Sequence, residues 1–85
     1  MYGVRFTPEA RRDLGGIPDK VRPAIFEAID GTIATNPQRA GKALRLQLEG
    51  LYAARRGEYR IVYAIDESEQ MVTIHRVEHR RDAYR

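Results

Sequence analysis

Arginine, histidine and tyrosine crowd the last third of this 85-residue chain: Arg55, Arg56 and Arg60 flank one glycine, and His79, Arg80, Arg81 and Tyr84 close the sequence. Such a set suits one kind of reaction. RNA can be cleaved without a metal when its own 2′-hydroxyl attacks the adjoining phosphorus, because the nucleophile is already held in the substrate. A protein then has three tasks: to remove the 2′ proton, to protonate the leaving 5′-oxygen, and to hold the charge that builds on the phosphorane. Arginine performs the last, since its planar fork presents fixed donors to phosphate oxygens. Histidine changes charge near neutrality, which makes His79 a candidate for proton transfer; Tyr84 joins it if nearby cations favour the phenolate. The plainer readings are a solvated strand end for His79, a tail residue packed over a sheet for Tyr84, an internal salt bridge for Arg60, and a solvated hairpin for Arg55 and Arg56.

The distribution of charge points to the same region. The net charge is +3. Residues 1–38 are balanced, 39–60 carry +4 through Arg39, Lys42, Arg45, Arg55, Arg56 and Arg60, 61–73 carry −3, and 74–85 carry +2. Thirteen of the fifteen cations are arginine, a count that coding bias toward GC-rich codons can produce, but such bias does not cluster them. Lys42, Arg45, Arg55, Arg56 and Arg81 are therefore the expected substrate-phosphate contacts, and Arg60, Arg80, Tyr84 and His79 the expected reacting or charge-stabilising groups.

The elements that must position them follow from periodicity. Tyr2, Val4 and Phe6 alternate as in a half-buried strand. Thr7-Pro8-Glu9 reads as a helix N-cap, first position and first-turn acid, and Gly15-Gly16 stops that helix after Leu14. A second helix follows Pro18-Asp19, with Val21, Ala24, Ile25, Ala28, Ile29, Thr32 and Ile33 forming one apolar stripe, Pro23 fitting only near its first turn, and Asn36-Pro37 ending it. Residues 38–50 fit no element, although Leu44, Leu46 and Leu48 are spaced by two and Gly50 marks a turn or bulge. Three further strands are expected at Leu51 to Arg56, Tyr59 to Asp66 and Met71 to about Glu78, joined by hairpins. The fold class is α+β: an N-terminal strand, a two-helix hairpin and a three-stranded antiparallel meander in one domain over 1–85, with the helices on one sheet face. Along the strand from 59 to 66, Tyr59, Ile61, Tyr63 and Ile65 share one face, while Arg60 lies with Val62 and Ala64 on the other. Its head needs an acid of the fold or an anion from outside.

Several classes fall away. The chain is too short for two cores and has no apolar run approaching the ~20 residues of a membrane helix. It has no cysteine, hence no disulfide, thiolate nucleophile or cysteine-bound zinc. The N-terminus lacks a secretory pattern, so the expected location is the cytoplasm and no membrane is expected. Ala40-Gly41-Lys42-Ala43 lacks the glycine spacing and hydroxyl of a nucleotide-binding loop. His75 and His79 are four apart, but on a strand that is roughly 13 Å, too far for one metal. No metal or cofactor is called for.

At these same residues the chain resembles the RelE family of bacterial toxins. The run Leu48-Glu49-Gly50-Leu51-Tyr52-Ala53-Ala54-Arg55-Arg56-Gly57-Glu58-Tyr59-Arg60-Ile61-Val62-Tyr63 is similar to that family's L-x-G-x-[YW]-x-x-R-x-G-x-[YF]-R-[VI]-[VIL]-Y segment, and Val77-Glu78-His79-Arg80-Arg81-Asp82-Ala83-Tyr84 to its V-x-H-R-x-x-x-Y tail. The resemblance implies a ribosome-dependent endoribonuclease that enters the A site and cuts translated mRNA. It also implies a co-expressed antitoxin that wraps the toxin, with operator DNA bound only through the toxin–antitoxin complex. On the matching positions, Arg60 is implied as the phosphate-stabilising arginine, Arg80 as the tail arginine, Tyr84 as the tyrosine that stacks on a base or assists proton transfer, and Arg55 as the arginine before the hairpin glycine. One stretch departs: the best-known members carry catalytic lysines on the strand before that hairpin, where Leu51-Tyr52-Ala53-Ala54 has none. Two other functions use the same scaffold: a ParE-type inhibitor of DNA gyrase, and an RNA- or antitoxin-binding module without catalysis. An antitoxin is expected to bring an acidic amphipathic segment to the basic surface.

Overall fold

The computed structural model of the protein describes residues 1–83. Strand β1 (Gly3–Phe6) leads through Thr7 into helix α1 (Pro8–Gly15). Thr7 keeps an extended backbone and its Oγ1 accepts the Ala10 N–H at 3.0 Å, which satisfies one of the helix's free donors, and Pro8 fills the first position. Arg22 closes the other end: its Nε and Nη2 donate to the carbonyls of Leu14 and Ile17 at 3.1 and 2.6 Å, and its Nη1 meets Asp19 at 2.9 Å. That one guanidinium takes up carbonyls left over at the turn between helices.

Helix α2 (Arg22–Glu27) begins with Pro23 in its first turn and runs on as a π-helical segment, Ala28–Ile33. Ile25, Ile29 and Ile33 are buried along it, the stripe expected from the sequence. The unassigned stretch 38–50 holds three short elements: helix α3 (Pro37–Ala40), strand β2 (Lys42–Ala43) and a 3₁₀ turn (Leu46–Leu48). A two-residue strand is too short to show a period, which is why no pattern announced it. Gly41 joins α3 to β2 at a point where a Cβ would lie 2.6 Å from the Ala53 carbonyl and 2.7 Å from the Tyr63 hydroxyl. Only glycine permits that approach. Strands β3 (Leu51–Arg56), β4 (Tyr59–Asp66) and β5 (Met71–His79) form the expected meander. A short helix α4 (Arg80–Ala83) follows. In the two-residue turn between β3 and β4 only the first residue, Gly57, has positive φ (59°), the pattern of a type II′ hairpin.

The sheet has five strands in the order β1-β5-β4-β3-β2, with β1 parallel to β5 and the other pairs antiparallel. The meander is thus extended on both sides, by β1 and by β2. After Phe6 the chain leaves the ladder, and α1 takes over the exposed edge of β5: Thr7 N–H donates to Ile74 O and Thr7 Oγ1 to His75 O, each at 3.0 Å, while Asp13 Oδ2 accepts the Val77 N–H at 2.9 Å. Here β5 also bulges. Ile74 pairs with Tyr63 and Arg76 with Val62, so His75 is an extra residue without a partner on β4.

The register separates two faces. Ile61 with Val77, Tyr63 with Ile74 and Ile65 with Val72 point to the helices and join Ala10, Leu14, Ile25 and Ile29 in the core. The opposite face carries Arg60, Val62 and Ala64 of β4, as the alternation predicts. No described helix is long and apolar enough to cross a membrane.

Candidate functional site

On the face away from the helices, register aligns Arg55 of β3, Arg60 of β4 and Glu78 of β5 in one row. Two cations directly opposite each other repel unless an anion lies between or beside them. Arg60 meets Glu78 through Nη2 at 3.0 Å, and both side chains are largely covered, at 29% and 18% exposed. The carboxylate is shared: Arg76 Nη1 lies 3.7 Å from its other oxygen, and Arg76 Nε is 2.8 Å from Asp13. The hydrogen bond that Arg76 donates to Asp13 pushes the guanidinium's pKa up further. Arg60 Nε is buried with no hydrogen-bond partner among the described residues.

Arg60 forms a wall between two cavities. One, of about 560 Å³, brings Arg39, Lys42 and Arg55 to it over a floor that includes Ala53 and Gly41. The other, of about 430 Å³, has an apolar side made by Leu44, Leu48, Leu51 and Val62 and a polar side made by Glu9, His75, Arg76 and Glu78. The bulge explains the second lining. With one extra residue in β5, His75 and Arg76 both reach the face that strict alternation would have given to only one of them.

The residues singled out in the sequence do not all converge. Arg60, Arg55 and Lys42 meet on the open face, and Arg39, which the sequence marked only as part of a basic stretch, joins them. Arg56 alternates to the helix side and its Nη2 meets Glu27 at 3.4 Å. His79 lies on that side too, edge-on to Tyr59 with ring centres 5.2 Å apart, and its Nδ1 accepts the Arg81 N–H at 3.1 Å. The sheet stands between this imidazole and the Arg60 head. Arg80 follows β5; its N–H donates to Glu58 O at 2.7 Å and its Nη1 lies 3.6 Å from the Glu58 carboxylate. Arg81 is exposed in α4, and Arg45 is exposed just before the 3₁₀ turn. Tyr84 lies outside the described residues. Sequence reading missed Glu78 and His75 as site residues. The first is defined by cross-strand register and the second by a bulge, and neither leaves a local pattern.

Among the described residues no group of histidine and carboxylate side chains has the arrangement of a metal site. The arrangement can bind a phosphodiester: several cations border one cavity, and a buried donor awaits an acceptor.

A family model described as the ParE toxin of type II toxin–antitoxin systems, parDE, matches residues 4–84. Toxin RelG of Mycobacterium tuberculosis is 48% identical over 84 residues, spanning 99% of this chain and 97% of its own length. Toxin RelE of the same organism is 46% identical over 84 residues, covering 99% and 87%. Among solved structures, the toxin–antitoxin complex RelBE2 of M. tuberculosis has a chain matching with TM-score 0.88 and 46% identity, over 92% of this chain and 90% of that one. The isolated E. coli RelE toxin matches at TM-score 0.78 over 93% and 84%, but at 18% identity this likeness concerns the fold alone.

Proposed function

The chain belongs to the RelE/ParE superfamily of type II toxins, and from that premise we propose that it is a ribosome-dependent endoribonuclease that cuts translated mRNA. The observation that carries this reading is the state of Arg60: a largely buried guanidinium, one arm on Glu78, with its Nε unsatisfied beside a cavity bordered by Arg39, Lys42 and Arg55. Leaving a buried donor without a partner costs about 1–3 kcal/mol. A phosphate oxygen seated against Arg60 supplies the missing acceptor.

In the reaction the substrate's 2′-hydroxyl attacks the adjoining phosphorus, Arg60 holds the charge of the phosphorane, and Arg55, Lys42 and Arg39 seat the flanking phosphates. Fixed donors in a partly dry site do this without reorganising. Arg80 and Arg81, in α4, stand where β5 ends and can follow the RNA backbone out of the site. The proposed partners are mRNA in the ribosomal A site and an antitoxin. The relative whose complex is solved was captured with its antitoxin, and an acidic segment suits the basic open face. Operator DNA would be met through the toxin–antitoxin pair, and the place of action is the cytoplasm.

The test is to map mRNA ends after brief induction of the wild type and of Arg60→Ala. The nuclease reading expects new ends within translated codons for the wild type and a loss of about 10²-fold or more for the variant. Intact transcripts with DNA-damage signalling would assign the scaffold to gyrase instead. Equal growth inhibition by both proteins, with intact transcripts, would leave a non-catalytic binder.

A further inference from the structure

The open face also carries a carboxylate and an imidazole that share one cavity with Arg60. Resting on the nuclease reading, we infer that Glu78 is the general base and His75 the general acid of the cleavage. At the open-face positions of β3 stand Leu51, Ala53 and Arg55, so this strand offers no amine for proton transfer. The neighbouring strand offers something else. Glu78 is the carboxylate in direct contact with Arg60, 3.0 Å away, so a phosphate held by Arg60 is held beside Glu78 as well. His75 is brought to the same cavity by the β5 bulge. Such bulges re-aim side chains next to active sites.

The separation suits in-line displacement. Three strand steps put the two α-carbons roughly 10 Å apart, enough for the two side chains to approach opposite ends of one scissile diester. A bond forms between O2′ and phosphorus as the bond from phosphorus to O5′ breaks. The O2′ proton passes to a Glu78 Oε, and an imidazolium N–H of His75 gives its proton to O5′. The products are a 2′,3′-cyclic phosphate and a 5′-hydroxyl, with no oxidant or metal in the balance. The charged groups lining the same cavity are Glu9 of α1, Arg60 of β4 and Arg76 of β5. Leu44, Leu48, Leu51 and Val62 form its apolar side. Arg76 is anchored to Asp13, which leaves the shared contact with Glu78 as the long one, at 3.7 Å against 3.0 Å for Arg60.

The experiment is single-turnover cleavage of mRNA on programmed ribosomes from pH 5 to 9, with wild type, Glu78→Gln, Glu78→Asp, His75→Gln and Arg60→Ala, each checked for folding by circular dichroism. The wild type should show a bell-shaped rate profile. Glu78→Gln should lose about 10²-fold or more and lack the acid limb, His75→Gln should lose as much and lack the alkaline limb, and Glu78→Asp should recover part of the rate. If Arg60→Ala is inactive while Glu78→Gln or His75→Gln cleaves within threefold of wild type, or slows with both limbs intact, the acid–base assignment is overturned and the nuclease reading stands. If wild type leaves the mRNA whole, both fall together.

Discussion

Arg60 shows how a single side chain acquires its role. On β4 it stands among Val62 and Ala64, and its head is committed to Glu78 on one side only. Arg60→Lys should therefore fail almost as badly as Arg60→Ala in mRNA cleavage, because an ammonium cannot reproduce a planar fork that serves a carboxylate and a phosphate together. At Gly41 the constraint is steric. Gly41→Ala forces a methyl group to 2.6 Å from the Ala53 carbonyl and 2.7 Å from the Tyr63 hydroxyl, and should cost about 1–3 kcal/mol in a denaturant melt. Tyr63 gives a pH signature. Burial pushes its phenol up to about 12 from 10.0, and its hydroxyl donates to Pro37 O at 2.8 Å. The folded state holds the proton more tightly than the unfolded one, so this stability is complete below pH 10 and is lost as pH rises toward 12. It amounts to at most about 3 kcal/mol. Tyr63→Phe should flatten that alkaline limb of the unfolding curve.

At the scale of elements, α1 completes a sheet edge by side-chain and cap contacts. Thr7 caps the helix and also donates to His75 O, at the bulge. Thr7→Ala should lower stability by about 1 kcal/mol by thermal melt through the lost cap. The 3₁₀ turn tells the opposite story. Leu46 has φ 59° and is 87% exposed, so its side chain gains little from folding while its backbone is strained. Leu46→Gly should raise stability by about 1 kcal/mol in a denaturant melt.

Across the molecule, four cations from the basic stretch after residue 38, Arg39, Lys42, Arg55 and Arg60, border one cavity on the face that the helices leave open. Binding to single-stranded RNA should weaken with salt. Arg39→Ala and Lys42→Ala should each reduce the slope of log affinity against log salt by about 0.7, read by fluorescence anisotropy at several salt concentrations.

The α+β class, both helices of the N-terminal hairpin, the three meander strands and the inward and outward faces of β4 were all legible in the order of residues along the chain. These follow from local rules: Thr7-Pro8 starts a helix wherever it lies, and alternation in 59–66 separates Arg60 from Ile61 in any sheet. Which of these parts meet was settled by the assembled fold. The parallel seating of β1 beside β5, the two-residue β2, the pairing of Arg60 with Glu78, the bulge at His75 and the placing of His79 behind the sheet depend on register between segments far apart in the chain. Register is a relation between strands, and no single strand's residues encode it.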